Sequence, residues 1–206
     1  MSFKRVLIPS FLSVAVLCSL VAATESPAAT PIVLGGQLLG ASNVDVGGVL
    51  YSVEFLEGSC IDLFDGCDAP ADFTFTTQAA ATAASQALLD QVFLDGAPGL
   101  FDSSPELTAG CYVVNGICHV ITAYAFDGGI NANVTLAANN ELETSDVVLT
   151  TVTINTISDT DHPPLDSEVY AVWTPVSVPV PGPGALTALA LLAAGVLALH
   201  RAAART

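Results

Sequence analysis

Four cysteines, Cys60, Cys67, Cys111 and Cys118, form two pairs with six residues between the members of each. Thiols so placed can oxidise to disulfides, ligate a metal as thiolates, or act as nucleophiles beside a base. The spacing is wider than the usual zinc knuckle, which leaves oxidation as the expected chemistry and zinc as its rival. Three connectivities are open to four cysteines. Local pairing is favoured by proximity, and each local bridge contributes about 2.5 kcal/mol in a chain-entropy treatment, whereas a Cys60 to Cys111 bridge would contribute about 4 kcal/mol. The expectation adopted is Cys60 with Cys67 and Cys111 with Cys118. His119 follows Cys118 directly in a β-rich stretch, where successive side chains face opposite ways, so the two are not expected to form a catalytic pair.

Carboxylates are the other group with chemical potential. Asp62, Asp65, Asp68 and Asp72 crowd around the first cysteine pair, and Asp159, Asp161, His162, Asp166 and Glu168 gather around Pro163 and Pro164. Oxygen ligands at this density suit calcium, and Asp62, Asp65, Asp68, Asp159 and Asp161 are the residues from which a ligand set would be drawn. No complete Asp-x-Asp-x-Asp-Gly loop is present, and solvated acidic turns explain the same composition without any ion. No cofactor is therefore expected, with calcium as the named exception. A carboxylate pair could also hydrolyse a glycoside, but only at a separation that sequence does not supply. No Gly-x-Ser-x-Gly elbow, phosphate loop or His-Glu-x-x-His helix occurs, so the expectation is a protein that is not an enzyme.

Charge narrows the partners. The chain has 206 residues, 20 acidic and 4 basic, and every basic residue (Lys4, Arg5, Arg201 and Arg205) lies near an end. The stretch between carries all the carboxylates and no Lys or Arg, which excludes phosphate neutralisation and hence nucleic acid. Schiff-base chemistry and cationic oxyanion clamps are excluded as well.

The elements that must position these groups are legible in part. Val49, Tyr51, Val53 and Phe55 alternate as in a half-buried strand. Gln78 to Leu94 is rich in Ala, Gln and Leu, with Thr76 or Thr77 as N-cap and Asp95, Gly96 and Pro98 as stop signals. Ala81, Ala84, Leu88, Val92 and Phe93 fall near one face of that helix, which is expected to pack on a sheet. Val120 to Phe126 and Asn131 to Ala137 flank Asp127, Gly128 and Gly129 as a hairpin, with further strands over Asp146 to Ile157 and Val169 to Thr174. Five or six strands and one principal helix predict an α+β domain with a largely antiparallel sheet, and the alternative is an all-β jelly-roll-like sandwich.

The ends carry a different kind of information. Lys4 and Arg5, an apolar run from Val6 to Leu20 and the small residues Val21, Ala22 and Ala23 have the order of a cleavable signal peptide over residues 1–23, which also takes away Cys18. Residues 24–175 then form the acidic exported domain, large enough for its own core. Residues 176–184 make a Pro/Gly linker that no helix can cross, and residues 185–206 an apolar helix with a basic tail. Ala185, Leu186, Leu189, Leu191, Leu192, Val196, Leu197 and Leu199 form its apolar surface. Ala185 to Leu199 would be about 22 Å long as a helix, a marginal span of a hydrocarbon core of about 30 Å. Basic residues beyond it place the C-terminus in the cytoplasm and the domain outside.

The order Val178, Pro179, Val180, Pro181, Gly182, Pro183, then a Leu/Ala/Gly helix, then Arg201 and Arg205, resembles the PEP-CTERM sorting domain, with Val180 in the place of the family's glutamate. The resemblance covers Val178 to Arg205. It implies recognition by a membrane protease called exosortase and export in a Gram-negative bacterium that makes exopolysaccharide. It further implies an inner-membrane-anchored intermediate and a cell-surface or matrix destination. Tyr51-Ser-Val-Glu-Phe, the pair Cys60 and Cys67, and Ser85-Gln-Ala-Leu-Leu-Asp-Gln-Val-Phe are similar to the exported domain of some PEP-CTERM proteins of unknown function. Three functions are then expectations: structural or adhesive work in exopolysaccharide, calcium-dependent carbohydrate binding, and hydrolysis by a carboxylate pair.

Overall fold

The computed structural model describes residues 27–112, 116–142, 146–158, 160 and 167–177. The signal-peptide residues, the sorting motif, the apolar C-terminal run and all four basic residues lie outside the described residues, as do Asp159, Asp161, His162 and Asp166. Among the described residues no helix is long and apolar enough to cross a membrane.

The chain forms β1 (Thr30–Leu34), β2 (Gln37–Val46), β3 (Val49–Leu56), a one-turn helix α1 (Cys60–Leu63) and the helix α2 (Gln78–Gln91). A two-residue ribbon follows, β4 (Asp95–Gly96) with β5 (Gly99–Leu100), and then β6 (Ile117–Phe126), β7 (Asn131–Asn140), β8 (Val147–Asn155) and β9 (Glu168–Pro175). Seven strands make one mixed sheet in the order β1-β2-β3-β9-β6-β7-β8. All neighbours are antiparallel except β6 and β9. The domain is sheet-rich with few helical residues, closer to the sheet-rich alternative than to the α+β balance that the helix pattern suggested. That pattern overstated the helical share because β1 and β2 went unread: Gly40, Ala41, Ser42 and Asn43 have low strand propensity, yet all lie in β2.

Each boundary has a local cause. Gly47 and Gly48, at φ 63° and 88°, make the two-residue turn that joins β2 to β3, a geometry L residues resist. Helix α2 starts at Thr77, whose hydroxyl accepts the Ala80 N–H at 3.2 Å. The hairpin β6–β7 appears where the turn residues predicted it, with β6 starting earlier, at Ile117.

Helix α2 lies across the strands. Gln78 at its start donates to the Thr150 carbonyl of β8, Ser85 in its middle shares a 2.8 Å hydrogen bond with Thr135 of β7, and Gln91 at its end donates to the Asp45 carbonyl of β2 at 2.8 Å. Its buried side, Ala81, Ala84, Ala87 and Leu88, presents small side chains to the sheet, and Val92 and Phe93 complete the contact just past its end. Small residues let the helix axis come close without opening cavities. The same core holds Val53, Phe55, Val120, Val169, Trp173 and the cysteines Cys111 and Cys118.

The other face has a separate core of Ile121, Val134, Leu136, Tyr170 and Phe73 with Cys60 and Cys67. A helix therefore covers one side of the sheet and the first cysteine loop covers the other. Strand β9, in the middle of the sheet, buries Val169, Tyr170 and Ala171 in succession because both its faces are covered.

Candidate functional site

The cysteines pair as Cys60–Cys67 and Cys111–Cys118, each with Cα atoms 5.7 Å apart. All four are buried, so they are structural and not available as nucleophiles. Cys118 faces the core under α2, and His119 belongs to the opposite face of β6.

The first disulfide loop is bound to the segment that follows β8. The Ile61 N–H donates to the Thr156 carbonyl at 3.1 Å, the Gly58 N–H donates to Thr160 Oγ1 at 3.0 Å, and the Thr160 N–H returns to the Gly58 carbonyl at 3.2 Å. Two segments about a hundred residues apart in sequence, one holding Gly58 and Ile61 and the other Thr156 and Thr160, thus meet on one face of the sheet. Beside them a cleft of about 270 Å³ is lined by Ile121, Val152, Asn155, Ser158, Thr160, Glu168 and Tyr170. Glu168 pairs in register with His119 on the parallel strand β6, which puts both side chains on this face. Burial pushes the Glu168 carboxyl up and the His119 imidazole down from their ordinary values. In each case burial disfavours the charged form.

The carboxylates named as calcium ligands act differently. Asp62 accepts from the Ser59 hydroxyl, while Asp65 and Asp68 are exposed. Asp72 accepts the backbone N–H groups of Asp68 and Ala69 at 2.9 and 2.8 Å, which shapes the turn after the loop. Among the described residues no three His, Cys, Asp or Glu side chains come together as a metal group. Asp95 likewise accepts the N–H groups of Asp102 and Ser103, and the Ser103 N–H in particular holds its carboxyl below the usual range.

A larger cleft, about 430 Å³, lies beside the second disulfide and is lined by Gln37, Glu57, Glu106, Ala109, Gly110, Cys111 and Tyr112. The backbone builds it. The Ala109 N–H donates to the Leu38 carbonyl at 2.9 Å, the Cys111 N–H donates to the Thr108 carbonyl at 3.0 Å, and the disulfide ties Cys111 to β6. Gly110 sits at φ 82°, and a Cβ there would meet Glu57 Cγ at 2.6 Å and Val169 Cγ2 at 2.9 Å. Only glycine lets this backbone pack against the Glu57 stem. Tyr112 is 69 % exposed, a large ring left on the surface and part of the lining of an acidic cleft. An aromatic face with carboxylates and an amide beside it can stack on a sugar ring and hydrogen-bond its substituents.

Sequence reasoning did not find this site. Tyr112 beside Cys111 was a readable signal, whereas Glu57, Glu106 and Gln37 come from three distant segments and only the fold brings them together. The chain matches no family model, no curated protein and no solved structure, so the geometry of these two clefts stands without a relative.

Proposed function

We propose that this is an exported cell-surface or extracellular-matrix protein whose sheet-rich domain does structural or adhesive work in contact with an exopolysaccharide, without catalysis. The observation that carries the reading is the distribution of charge and thiols. Every Lys and Arg lies near an end, where it serves as a topology signal, and the domain between has two disulfide pairs, which belong to an oxidising compartment. The resemblance of Val178 to Arg205 to a PEP-CTERM domain adds an exosortase-like protease and the export machinery as partners. It also adds a route through an inner-membrane-anchored intermediate to the surface of a Gram-negative bacterium.

The chain recovered from its producing cells tests this reading by mass. The expected species begins at Thr24, carries two disulfides and is found with the matrix, and deletion of its gene weakens matrix cohesion. A full-length, fully reduced species confined to the cytoplasm would overturn the proposal.

Direct glycan binding is the second reading, supported by the exposed Tyr112, which lines the same cleft as Glu57 and Glu106. Calcium dependence of that binding is a separate matter, answered by calorimetry with and without chelator. Hydrolysis by a carboxylate pair ranks behind both.

A further inference from the structure

We infer that the cleft beside the second disulfide is a subsite for an aminated sugar, with the pyranose ring on Tyr112 and the ammonium group accepted by Glu106, in a cleft that Glu57 also lines. The inference rests on the glycan-contact reading above and adds the place and the chemical class of the ligand.

Three observations lead to it. The cleft, at about 430 Å³, falls in the range of small-ligand sites, about 300 to 1,000 Å³. Its lining combines an exposed ring with two carboxylates and the Gln37 amide, which are a stacking surface and hydrogen-bond acceptors in one cleft. Its charge has one sign, in a domain whose residues 24–177 hold all 20 carboxylates and no Lys or Arg.

That charge selects among glycans. A uronate or sulfated polymer would find no cationic partner and would be repelled by the whole domain. A neutral polymer would gain from the ring but not from the acids. A hexosamine with a free ammonium group gains both, through charge-assisted hydrogen bonds to carboxylates and attraction to the Tyr112 ring. Calcium is the other cation to consider. It requires about six to eight oxygen ligands, and among the described residues no three acidic, His or Cys side chains converge. A compact ammonium with three donors is satisfied by fewer acceptors. The site is also held in advance, because Gly110 packs its backbone on Glu57 and the Cys111–Cys118 bridge holds the segment next to Tyr112.

Titration calorimetry on the full chain, purified in detergent, tests the inference with three probes: a glucosamine hexamer, its fully N-acetylated form and a hexuronate. The glucosamine hexamer should bind, with the N-acetylated form about tenfold weaker or more and the hexuronate not binding. Tyr112→Ala and Glu106→Gln should each weaken the glucosamine hexamer about tenfold. Asp90→Asn, which removes one exposed charge from α2, should leave binding unchanged. Tm values equal to the parent confirm that the variants fold.

Equal affinity in the parent and both cleft variants would place binding elsewhere and overturn the subsite, leaving glycan contact standing. An equal loss from Asp90→Asn would show that diffuse charge does the work and would overturn it too. Tighter binding of the N-acetylated hexamer would overturn the ligand class. If no probe binds and the protein is nonetheless held in the matrix, the subsite alone fails; if it is absent from the matrix as well, the glycan reading fails with it.

Discussion

Glu168 and His119 sit side by side on neighbouring strands, and burial moves their protonation in opposite directions. For Glu168 the folded state favours the protonated acid, so its contribution to stability is complete below its unfolded pKa and is lost as pH rises through the raised folded value. For His119 the folded state favours the neutral ring, so its contribution is present above its unfolded pKa and is lost as pH falls through the lowered folded value. Glu168→Gln should therefore raise Tm at pH 7 relative to the parent and leave it unchanged near pH 4, as calorimetric scans at the two pH values would read. A Tm gain at pH 4 as large as that at pH 7 would mean that the carboxyl charge is not the cause. Gly110 makes a second residue-scale case. Gly110→Ala must place a Cβ against Glu57 and Val169 at positive φ, and a loss of about 1 to 3 kcal/mol in chemical denaturation is expected. The sequence showed a glycine before Cys111 but not the Glu57 stem it packs on, since that contact joins residues more than fifty positions apart.

Among the elements, α2 was the most legible because its signals are local: a threonine cap, good helix formers and a stop at Asp95 and Gly96. Thr77→Ala should lower stability by about 1 kcal/mol through loss of the cap, measurable in urea unfolding. Ser85 is a different matter. Its hydroxyl is buried against Thr135 under the helix, so Ser85→Ala leaves a polar partner in the core, with a cost of about 1 to 3 kcal/mol. The double change with Thr135→Val should cost less than the two single changes added together. Each disulfide closes a short loop and contributes about 2.5 kcal/mol by chain entropy. The two bridges differ in what they hold: Cys60–Cys67 belongs to the core on one face of the sheet, Cys111–Cys118 to the core under α2. The strand β2 shows the opposite case to α2. Gly40 to Ser42 lacks strand propensity and is held in the strand because β1 pairs with all three and β3 with Gly40 and Ala41, while Asn43, at φ 58°, sits in the irregularity before Val44, a tertiary override of local preference.

For the whole molecule, charge gives the clearest expectation. The formal net charge is -16, and residues 27–177 contain no Lys or Arg, so added salt has repulsion to screen and no Lys or Arg salt bridges to weaken. Tm should rise with NaCl between about 0.01 and 0.15 M, where the screening length contracts most. A fall over that range would mean that attractive contacts to the carboxylates, such as the backbone N–H groups that Asp72 and Asp95 accept, outweigh the repulsion between them.

What sequence alone determined is what depends on neighbours in the chain or on composition: the excess of acids, the helix with its cap and stops, the hairpin at Asp127 to Gly129, and the local pairing of cysteines, which short loops favour kinetically and which the structure shows. The tertiary structure decided what depends on contacts between distant segments. Strand β9 enters the middle of the sheet beside β3 and parallel to β6, which no local signal specifies, and that insertion sets His119 next to Glu168. The crossing of α2 over the sheet, the docking of the first disulfide loop on Thr156 and Thr160, and the meeting of Gln37, Glu57, Glu106 and Tyr112 follow from the same kind of long-range packing. Burial rewards these contacts only once the whole sheet is assembled, which is why the clefts have no signature in any single stretch of sequence.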